Sequence, residues 1–136
     1  MANVYFTFPL RCGSLKVMTT AKKKTILIVD DEPDLVEILA DRLSLEGFAT
    51  ETANSGNQAL KVLENKIIDL VISDVRMKDG SGTDMYKAML SKGNKTPVIF
   101  VTAYADDEQD QVMKSAVAIL GKPFDFNELK KLIQSV

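Results

Sequence analysis

The sequence predicts an α/β protein in which helices cover both faces of a five-stranded parallel sheet, the doubly wound (βα)5 sandwich. From Lys22 onward, short runs of apolar and β-branched residues alternate five times with segments of helical spacing. Most of these runs are apolar throughout, which is typical of parallel strands buried on both faces. At 136 residues the chain is long enough to bury a substantial core in one domain. Right-handed crossovers then leave few topologies, of which the doubly wound sheet is the commonest at this length.

Five runs are the predicted strands. The first is TILIV at 25–29, and a shorter, less apolar stretch at 48–52, FATET, is the second. The apolar runs at 69–73 and 97–101 are the third and fourth, and a weaker run at 117–121, VAILG, is the fifth. Because helical segments lie between them, consecutive strands are expected to be parallel.

The segments between and after the strands carry helix signals. Pro33 suits the first turn of the first helix and Gly47 its C-terminal cap, while Ser55 is a candidate cap for the second. The fourth segment, DDEQDQVMKSA, is acidic and nearly devoid of apolar residues before Val112, and the fifth helix follows Asp125. The expected buried faces of the other four helices are Leu35, Ile38, Leu39 and Leu43; Ala59, Val62 and Leu63; Met85, Ala88 and Met89; and Phe126, Leu129, Leu132 and Ile133.

Residues 1–21 differ from the rest, and we interpret them as an N-terminal extension ahead of a domain at 22–136. The sequence VYFTF at 4–8 alternates as a short strand does, but Pro9 interrupts it. The stretch lacks the basic start and continuous apolar centre of a signal peptide. Met18 opens a natural-looking beginning, which leaves open whether the extension is native or results from a misplaced start. We expect a passive tail here rather than an anchor.

The composition excludes several classes of function. The chain contains no histidine, so it can form neither a Ser-His-Asp triad nor a histidine-ligated metal site. Lys and Arg number 17 against 19 Asp and Glu, which does not favour nucleic-acid binding. No apolar run approaches the ~18 residues of a membrane span. The lone cysteine, Cys12, cannot form an internal disulfide, which favours a cytoplasmic location.

Polar residues follow the apolar runs at the points where the strands should end. Asp30 and Asp31 follow the first run, and Asp74 follows the third. Thr102 follows the fourth run and Lys122 the fifth. Ligands of open parallel sheets bind beyond the carboxyl ends of the strands, so these side chains are expected at one edge.

The types of these residues suit a cation and a phosphate together. Two adjacent carboxylates repel each other, and a bound cation would offset the repulsion. A hydroxyl and an ammonium suit a phosphate group. Taken singly, each residue has an ordinary structural explanation, such as a turn for an aspartate or a solvated charge for Lys122. The expected convergence of all five favours a functional site.

The same positions carry a resemblance to a known family. DDEPD at 30–34, ISDVRM at 72–77, VTAY at 101–104 and GKPF at 121–124 closely resemble the receiver domain of two-component response regulators. The resemblance covers about 24–134. It implies a flavodoxin-like sheet with strand order 2-1-3-4-5, and a switch that catalyses only its own phosphorylation and dephosphorylation rather than a metabolic enzyme.

The resemblance also implies the following roles for site residues. Asp74 resembles the phosphoacceptor, which receives its phosphoryl group from a histidine kinase or a histidine phosphotransfer protein. Asp31 resembles the direct Mg²⁺ ligand, Asp30 a ligand through water, and the backbone carbonyl of Arg76 a further ligand. Magnesium is therefore the implied cofactor.

Two further residues are expected to hold the phosphate. Lys122 resembles the lysine that pairs with it, and Thr102 the hydroxyl that closes on it. We expect the Lys122 charge to serve the phosphate and to leave the metal site nearly independent. No nucleic acid or membrane is expected as a partner of this chain, which should be a monomer or weak homodimer with an effector that the sequence does not identify.

Three positions and one segment depart from the family pattern. The segment is DDEQD at 106–110, which is unusually acidic for a surface often used in docking. Lys78 stands where the family usually has proline, which favours a more flexible loop after Asp74. Ser81 replaces a usual acidic residue. Ile119 occupies the place of a switch Tyr or Phe, and without a polar tip it is expected to stay buried.

Two alternatives belong to other classes of function. The first is a receiver-like interaction module that signals by constitutive binding without phosphate. The second is an aspartate-nucleophile phosphatase of the haloacid dehalogenase type, whose nucleophile follows its first strand in an Asp-x-Asp pattern. Here Asp31 and Glu32 follow Asp30, so the pattern is absent. The sequence also leaves open whether the chain acts alone or as part of a longer protein.

Overall fold

A computed structural model of the chain describes residues 3–8, 15–20, 23–103 and 111–136. Its strands are β1 (Asn3–Phe8), β2 (Leu15–Thr20), β3 (Thr25–Val29), β4 (Ala49–Ala53), β5 (Leu70–Asp74), β6 (Val98–Thr102) and β7 (Ala118–Gly121). Its α-helices are α1 (Pro33–Leu45), α2 (Gly56–Asn65), α3 (Gly82–Ser91) and α4 (Phe126–Gln134), and Gln111–Ser115 form a 3₁₀-helix.

Strands β3 to β7 form one parallel sheet in the order β4-β3-β5-β6-β7. Numbered among themselves, they have the order 2-1-3-4-5, so the expected flavodoxin-like topology is confirmed. Every strand lies within one residue of its predicted run. The ladder of backbone hydrogen bonds between the strands includes the polar residues Asp74 and Thr102, because it is formed by main-chain groups and not by side chains. Asp74 is paired with Val101, and Thr102 with Gly121.

Alternate residues of each strand pack on opposite faces of the sheet. On one face, Ile26 and Ile28 pack with Leu43 of α1 and Leu129 of α4. On the other face, Leu27 and Val29 of β3 and Phe100 of β6 pack with side chains from α2, α3 and the 3₁₀-helix, namely Ala59, Met85, Met89 and Met113. The central strands are therefore covered on both sides, as their uniformly apolar sequences predicted.

The predicted helix ends are confirmed by their capping contacts. The Ser55 hydroxyl accepts a hydrogen bond from the Gln58 N–H, at 3.0 Å. At the start of α4, the Asp125 carboxylate accepts one from the Asn127 N–H, at 2.9 Å. Gly47 follows α1 with φ of +97°, in the left-handed region that glycine occupies at little steric cost.

The predicted buried face of α1 is wrong at one position. Leu39 and Leu43 are buried as expected, but Ile38 is 56% exposed and Val36 is buried instead. Residues 36, 39 and 43 are spaced by three and four, so they form one stripe along the helix. Ile38 lies outside that stripe and borders a surface groove.

The expectation that Ile119 is buried is also wrong, because its side chain is 40% exposed. Ile119 is paired with Phe100 in the register of β6 and β7. Since β7 is the last strand of the sheet, Ile119 has a neighbouring strand on one side only. The loss of burial follows from that edge position.

Two further predictions concern the chain outside the sheet. The strand expected at 4–8 lies within β1, which pairs antiparallel with β2, a strand that the sequence analysis did not predict. Of the fourth helical segment, 106–110 lie outside the described residues, and 111–115 are a 3₁₀-helix rather than an α-helix. The boundary between an N-terminal extension at 1–21 and a domain at 22–136 stays a prediction. No described helix has the length and apolar character needed to cross a membrane.

Candidate phosphoryl and metal site

The predicted site residues lie at the carboxyl edge of the parallel sheet. Asp30 directly follows β3, and Asp74 is the last residue of the neighbouring strand β5. Lys122 directly follows β7, and its backbone N–H donates to the Thr102 carbonyl at 2.8 Å. The hydrogen-bonded strands thus fix the backbone positions from which these side chains extend.

Three carboxylates form a cluster that can hold a metal ion. One ligand oxygen from each of Asp30, Asp31 and Asp74 lies within 4.8 Å of the others. Asp30 is 2% exposed and Asp74 8%, so both carboxylates are largely withdrawn from water. Hard divalent cations prefer carboxylate oxygens, and Mg²⁺ needs only a few of them because it keeps several waters. The donor set therefore fits Mg²⁺.

Lys122 supplies a positive charge within this cluster. Its ammonium donates to Asp30 Oδ2 at 3.0 Å and to Asp74 Oδ2 at 3.1 Å. Both bonds are charge-assisted and lie in partly buried surroundings, where such bonds are strong. The expectation that Lys122 is independent of the metal site therefore needs correction, because the ammonium contacts two of the candidate metal ligands.

Each carboxylate also accepts one backbone N–H. Asp74 Oδ1 accepts from Val75 at 2.7 Å, and Asp30 Oδ1 from Glu32 at 3.0 Å. Asp31 Oδ2 accepts from Lys78 at 3.2 Å. These donors fix the orientation of all three side chains.

Burial and charge shift the pKa values of two site residues in the same direction. Burial raises the pKa of the Asp74 carboxyl above its usual value, although the hydrogen bond from Lys122 and its charge oppose the shift. Burial lowers the pKa of Lys122, but hydrogen bonds and charges from Asp30 and Asp74 together outweigh it, so the net shift is upward. Lys122 therefore stays protonated. Its contact with Asp74 does not fully offset the cost of burying the ionised Asp74 carboxylate.

The backbone next to Asp74 is packed closely, a feature that the sequence analysis missed. The buried Ser73 hydroxyl donates to the Asp74 carbonyl oxygen at 2.7 Å. A Cβ atom added to Gly82 would lie 2.1 Å from that same oxygen. Glycine is therefore required at position 82 for α3 to begin so near the site.

The structure does not assign a role to the remaining predicted residues. Thr102 is buried at the end of β6, and Arg76 is exposed in the loop after β5. Tyr104 of the VTAY motif lies outside the described residues. The roles predicted for Thr102 and for the Arg76 carbonyl stay predictions.

An apolar groove of about 520 Å³ borders the site. Ile38 and Leu39 of α1 line one side of it, and Phe124 and Phe126 line another. Lys122 is among its lining residues, so the groove reaches the lysine that contacts the carboxylate cluster.

The model of the response regulator receiver domain family matches residues 26–134 of this chain. The chain belongs to that family. Receiver domains are signalling modules of two-component response regulators. The match covers all four sequence motifs and the parallel sheet except Thr25, the first residue of β3.

Curated relatives include larger regulatory proteins. The chain is 39% identical over 111 residues to the regulatory protein AtoC of Escherichia coli, a match that covers 80% of this chain and 24% of AtoC. It is 40% identical over 114 residues to the transcriptional regulatory protein CpxR of the same organism, with coverages of 82% and 48%. The chain thus spans about a quarter to a half of these relatives.

Solved structures show the same fold. The response regulator TrrA of Thermotoga maritima, in complex with Mg²⁺-BeF, has a TM-score of 0.76 and 36% sequence identity. That match covers 82% of this chain and 97% of TrrA. TrrA in complex with the histidine kinase ThkA gives a TM-score of 0.75 at the same identity and coverage.

We predict that Lys122→Ala lowers the free energy of unfolding by about 3 kcal/mol in chelator, because it leaves two buried carboxylates without their counter-ion. Added Mg²⁺ should restore part of the loss by supplying positive charge to the same oxygens. Urea unfolding with chelator and with Mg²⁺ measures both effects.

Lys130→Ala is the matched control, since Lys130 forms an ion pair with Glu46 at 2.7 Å and each side chain is about one-third exposed. Such a pair contributes at most about 1 kcal/mol. Equal destabilisation of the two variants, or a loss in Lys122→Ala that Mg²⁺ leaves unchanged, would contradict the counter-ion role.

Proposed function

We propose that this chain is a phosphorylatable switch that accepts a phosphoryl group on Asp74 from a histidine kinase or a histidine phosphotransfer protein, with Mg²⁺ as cofactor. The observation that carries the proposal is that Asp74 belongs to the carboxylate cluster and accepts a hydrogen bond from the Lys122 ammonium. An aspartate nucleophile that is surrounded by a metal site and a cation is arranged for phosphoryl transfer.

Asp74 acts as the nucleophile in this proposal. One carboxylate oxygen forms a bond to phosphorus while the bond between phosphorus and the donor's imidazole nitrogen breaks. The imidazole leaves with that electron pair, and the product is an aspartyl phosphate. The N–H of Val75 and the ammonium of Lys122 hold the carboxylate in place, which reduces the entropy lost on reaching the reactive geometry.

Asp30, Asp31 and Asp74 would hold the metal ion, with the Arg76 carbonyl as a further ligand. Mg²⁺ supplies positive charge that offsets the charge on the phosphoryl oxygens. Among the described residues, the cluster of these three carboxylates is the one whose ligand oxygens lie close enough to share an ion.

Lys122 serves both states of the site. Before phosphorylation it offsets part of the negative charge of Asp30 and Asp74. A phosphoryl group on Asp74 would place new negative charge next to Oδ2, the oxygen that already accepts from Lys122, so a small movement of the ammonium suffices to pair with it. Thr102, at the end of the adjacent strand β6, would contribute its hydroxyl to the same oxygens.

No described feature favours the phosphatase alternative, since no second aspartate follows Asp30 at the required spacing. Signalling without phosphate is the remaining alternative, and the experiment below separates it from the proposal. We also propose a cytoplasmic location, which the lone cysteine supports.

Incubation with acetyl phosphate and Mg²⁺ should add one phosphoryl group to the chain, with release of acetate, because the preorganised Asp74 carboxylate can attack a small donor directly. Intact mass measures the gain. The adduct should be absent in Asp74→Asn and in chelator. No adduct on the wild-type chain with this donor or a phosphorylated histidine kinase would favour the phosphate-independent alternative.

We further propose that the groove beside Lys122 receives the protein that donates the phosphoryl group. A donor must approach the carboxyl edge of the sheet, and the groove lies there with Ile38 exposed on its α1 side. Exposed apolar residues next to a reactive site are typical of docking surfaces.

We predict that Ile38→Lys slows transfer from a phosphorylated histidine kinase but leaves phosphorylation by acetyl phosphate unchanged, since only the protein donor needs the groove. Ile67→Lys is the matched control. Ile67 is 75% exposed and lies before β5, at the opposite end of that strand from Asp74. Equal transfer rates for the two variants would exclude docking on Ile38.

A further inference from the structure

The loop between β5 and α3 is held at both ends and in its middle. At its base, the Gly82 N–H donates to the Val75 carbonyl at 2.8 Å. In its middle, the Lys78 N–H donates to the Asp31 carboxylate at 3.2 Å. This bond uses a backbone donor that proline lacks, so lysine at position 78 adds a contact to the metal site.

The far side of this loop is attached to the first turn of α2. The side-chain amide of Asn57 donates to Asp79 Oδ1 at 2.8 Å. The Gly56 N–H donates to the carbonyl oxygens of Asp79 at 3.1 Å and Gly80 at 2.9 Å. A Cβ added to Gly56 would lie 2.4 Å from the Gly80 oxygen. Close approach and hydrogen bonds therefore fix the loop against α2.

We infer that Asn57 is a positioning residue for the metal site. Its bond to Asp79 holds the loop, and the adjacent residue of the loop, Lys78, places its N–H on the Asp31 carboxylate. Asn57 itself contacts neither the carboxylate cluster nor Lys122 in any hydrogen bond described above. The inference rests on the proposed function where it concerns Mg²⁺, but the hydrogen bonds belong to the chain without metal.

The chemistry of Asp31 explains why this attachment affects affinity. A carboxylate has two oxygens, so Oδ2 can accept the Lys78 N–H while Oδ1 remains available to a cation. Hydrogen-bond donors outside the ligand set orient metal-binding carboxylates, and their loss weakens binding. Loss of the Asn57–Asp79 bond leaves the Gly56 N–H bonds to Asp79 and Gly80 but removes the side-chain attachment of Asp79, so the loop should hold the Lys78 N–H less firmly against Asp31.

The first test compares Asn57→Ala with Asn65→Ala. Asn65 is on the same helix and loses a comparable bond, from its side-chain amide to the Lys61 carbonyl at 2.8 Å. In chelator, Asn57→Ala should accelerate hydrogen exchange of the Lys78 amide, measured by NMR. Calorimetry should show Mg²⁺ affinity weakened by about three- to tenfold, which corresponds to the net contribution of one ordinary hydrogen bond, because Asn57 acts on Asp31 only through the loop. Asn65→Ala should change neither quantity.

The second test isolates the backbone donor of Lys78. Lys78→Ala and Lys78→Pro both remove the side-chain charge, but only proline removes the N–H. Lys78→Pro should therefore bind Mg²⁺ more weakly than Lys78→Ala.

The outcomes separate this inference from the proposed function. If Asn57→Ala only lowers the melting temperature, with the Lys78 amide and Mg²⁺ affinity as in Asn65→Ala, Asn57 is merely structural and the inference is overturned. Equal Mg²⁺ affinities of the two Lys78 variants would overturn it as well. A wild-type chain that binds no Mg²⁺ would refute the proposed function, while the exchange rate of the Lys78 amide would still test the attachment of the loop.

Discussion

The site depends on one interaction, the contact of the Lys122 ammonium with two carboxylates that are largely withdrawn from water. Asp30 and Asp74 would repel each other strongly without it, because burial weakens the screening of their charges. Lys122 offsets the repulsion in part, but burial above all, with a smaller contribution from the Asp30 charge, still raises the pKa of Asp74. A divalent cation bound by Asp30, Asp31 and Asp74 would complete the neutralisation, which is why a site of this composition suits both a metal ion and an incoming phosphoryl group.

The parallel sheet makes that interaction possible. Lys122 reaches Asp30 although 92 positions separate them in the sequence, because β3, β5, β6 and β7 all end at one edge. The buried strands fix the starting point of each side chain, and the backbone donors of Glu32, Val75 and Lys78 fix its direction. Contacts between α2 and the loop after β5 extend this rigid support to a segment that has no regular secondary structure.

Much of this arrangement could be predicted from the sequence, and the exceptions have physical causes. The buried strands and the acidic cluster follow from local runs and from the rule that parallel strands end together. The exposure of Ile119 was missed because burial was predicted from the apolar side chain alone, although the expected order 2-1-3-4-5 already placed the fifth strand at the edge of the sheet. The hydrogen bond between Asn57 and Asp79 could not be predicted. It joins residues 22 positions apart, and neither residue belongs to a recognisable sequence motif. Lys78 was recognised as a departure from the family pattern. The acceptor of its N–H, Asp31, lies 47 positions away in the sequence, so the hydrogen bond between them could not be predicted from local sequence.

The central claim is that three crowded carboxylates form a divalent-cation site, and the dependence of stability on Mg²⁺ tests it most directly. The free energy of unfolding of the wild-type chain should rise with Mg²⁺ concentration, as it does for any ligand that binds only the folded state. In Asp31→Ala, the melting temperature in chelator should be higher than in the wild type, because one charge of the cluster is gone, and added Mg²⁺ should give little or no further gain. A wild-type stability that does not change with Mg²⁺, or an Asp31→Ala variant that gains as much from Mg²⁺ as the wild type, would contradict the account.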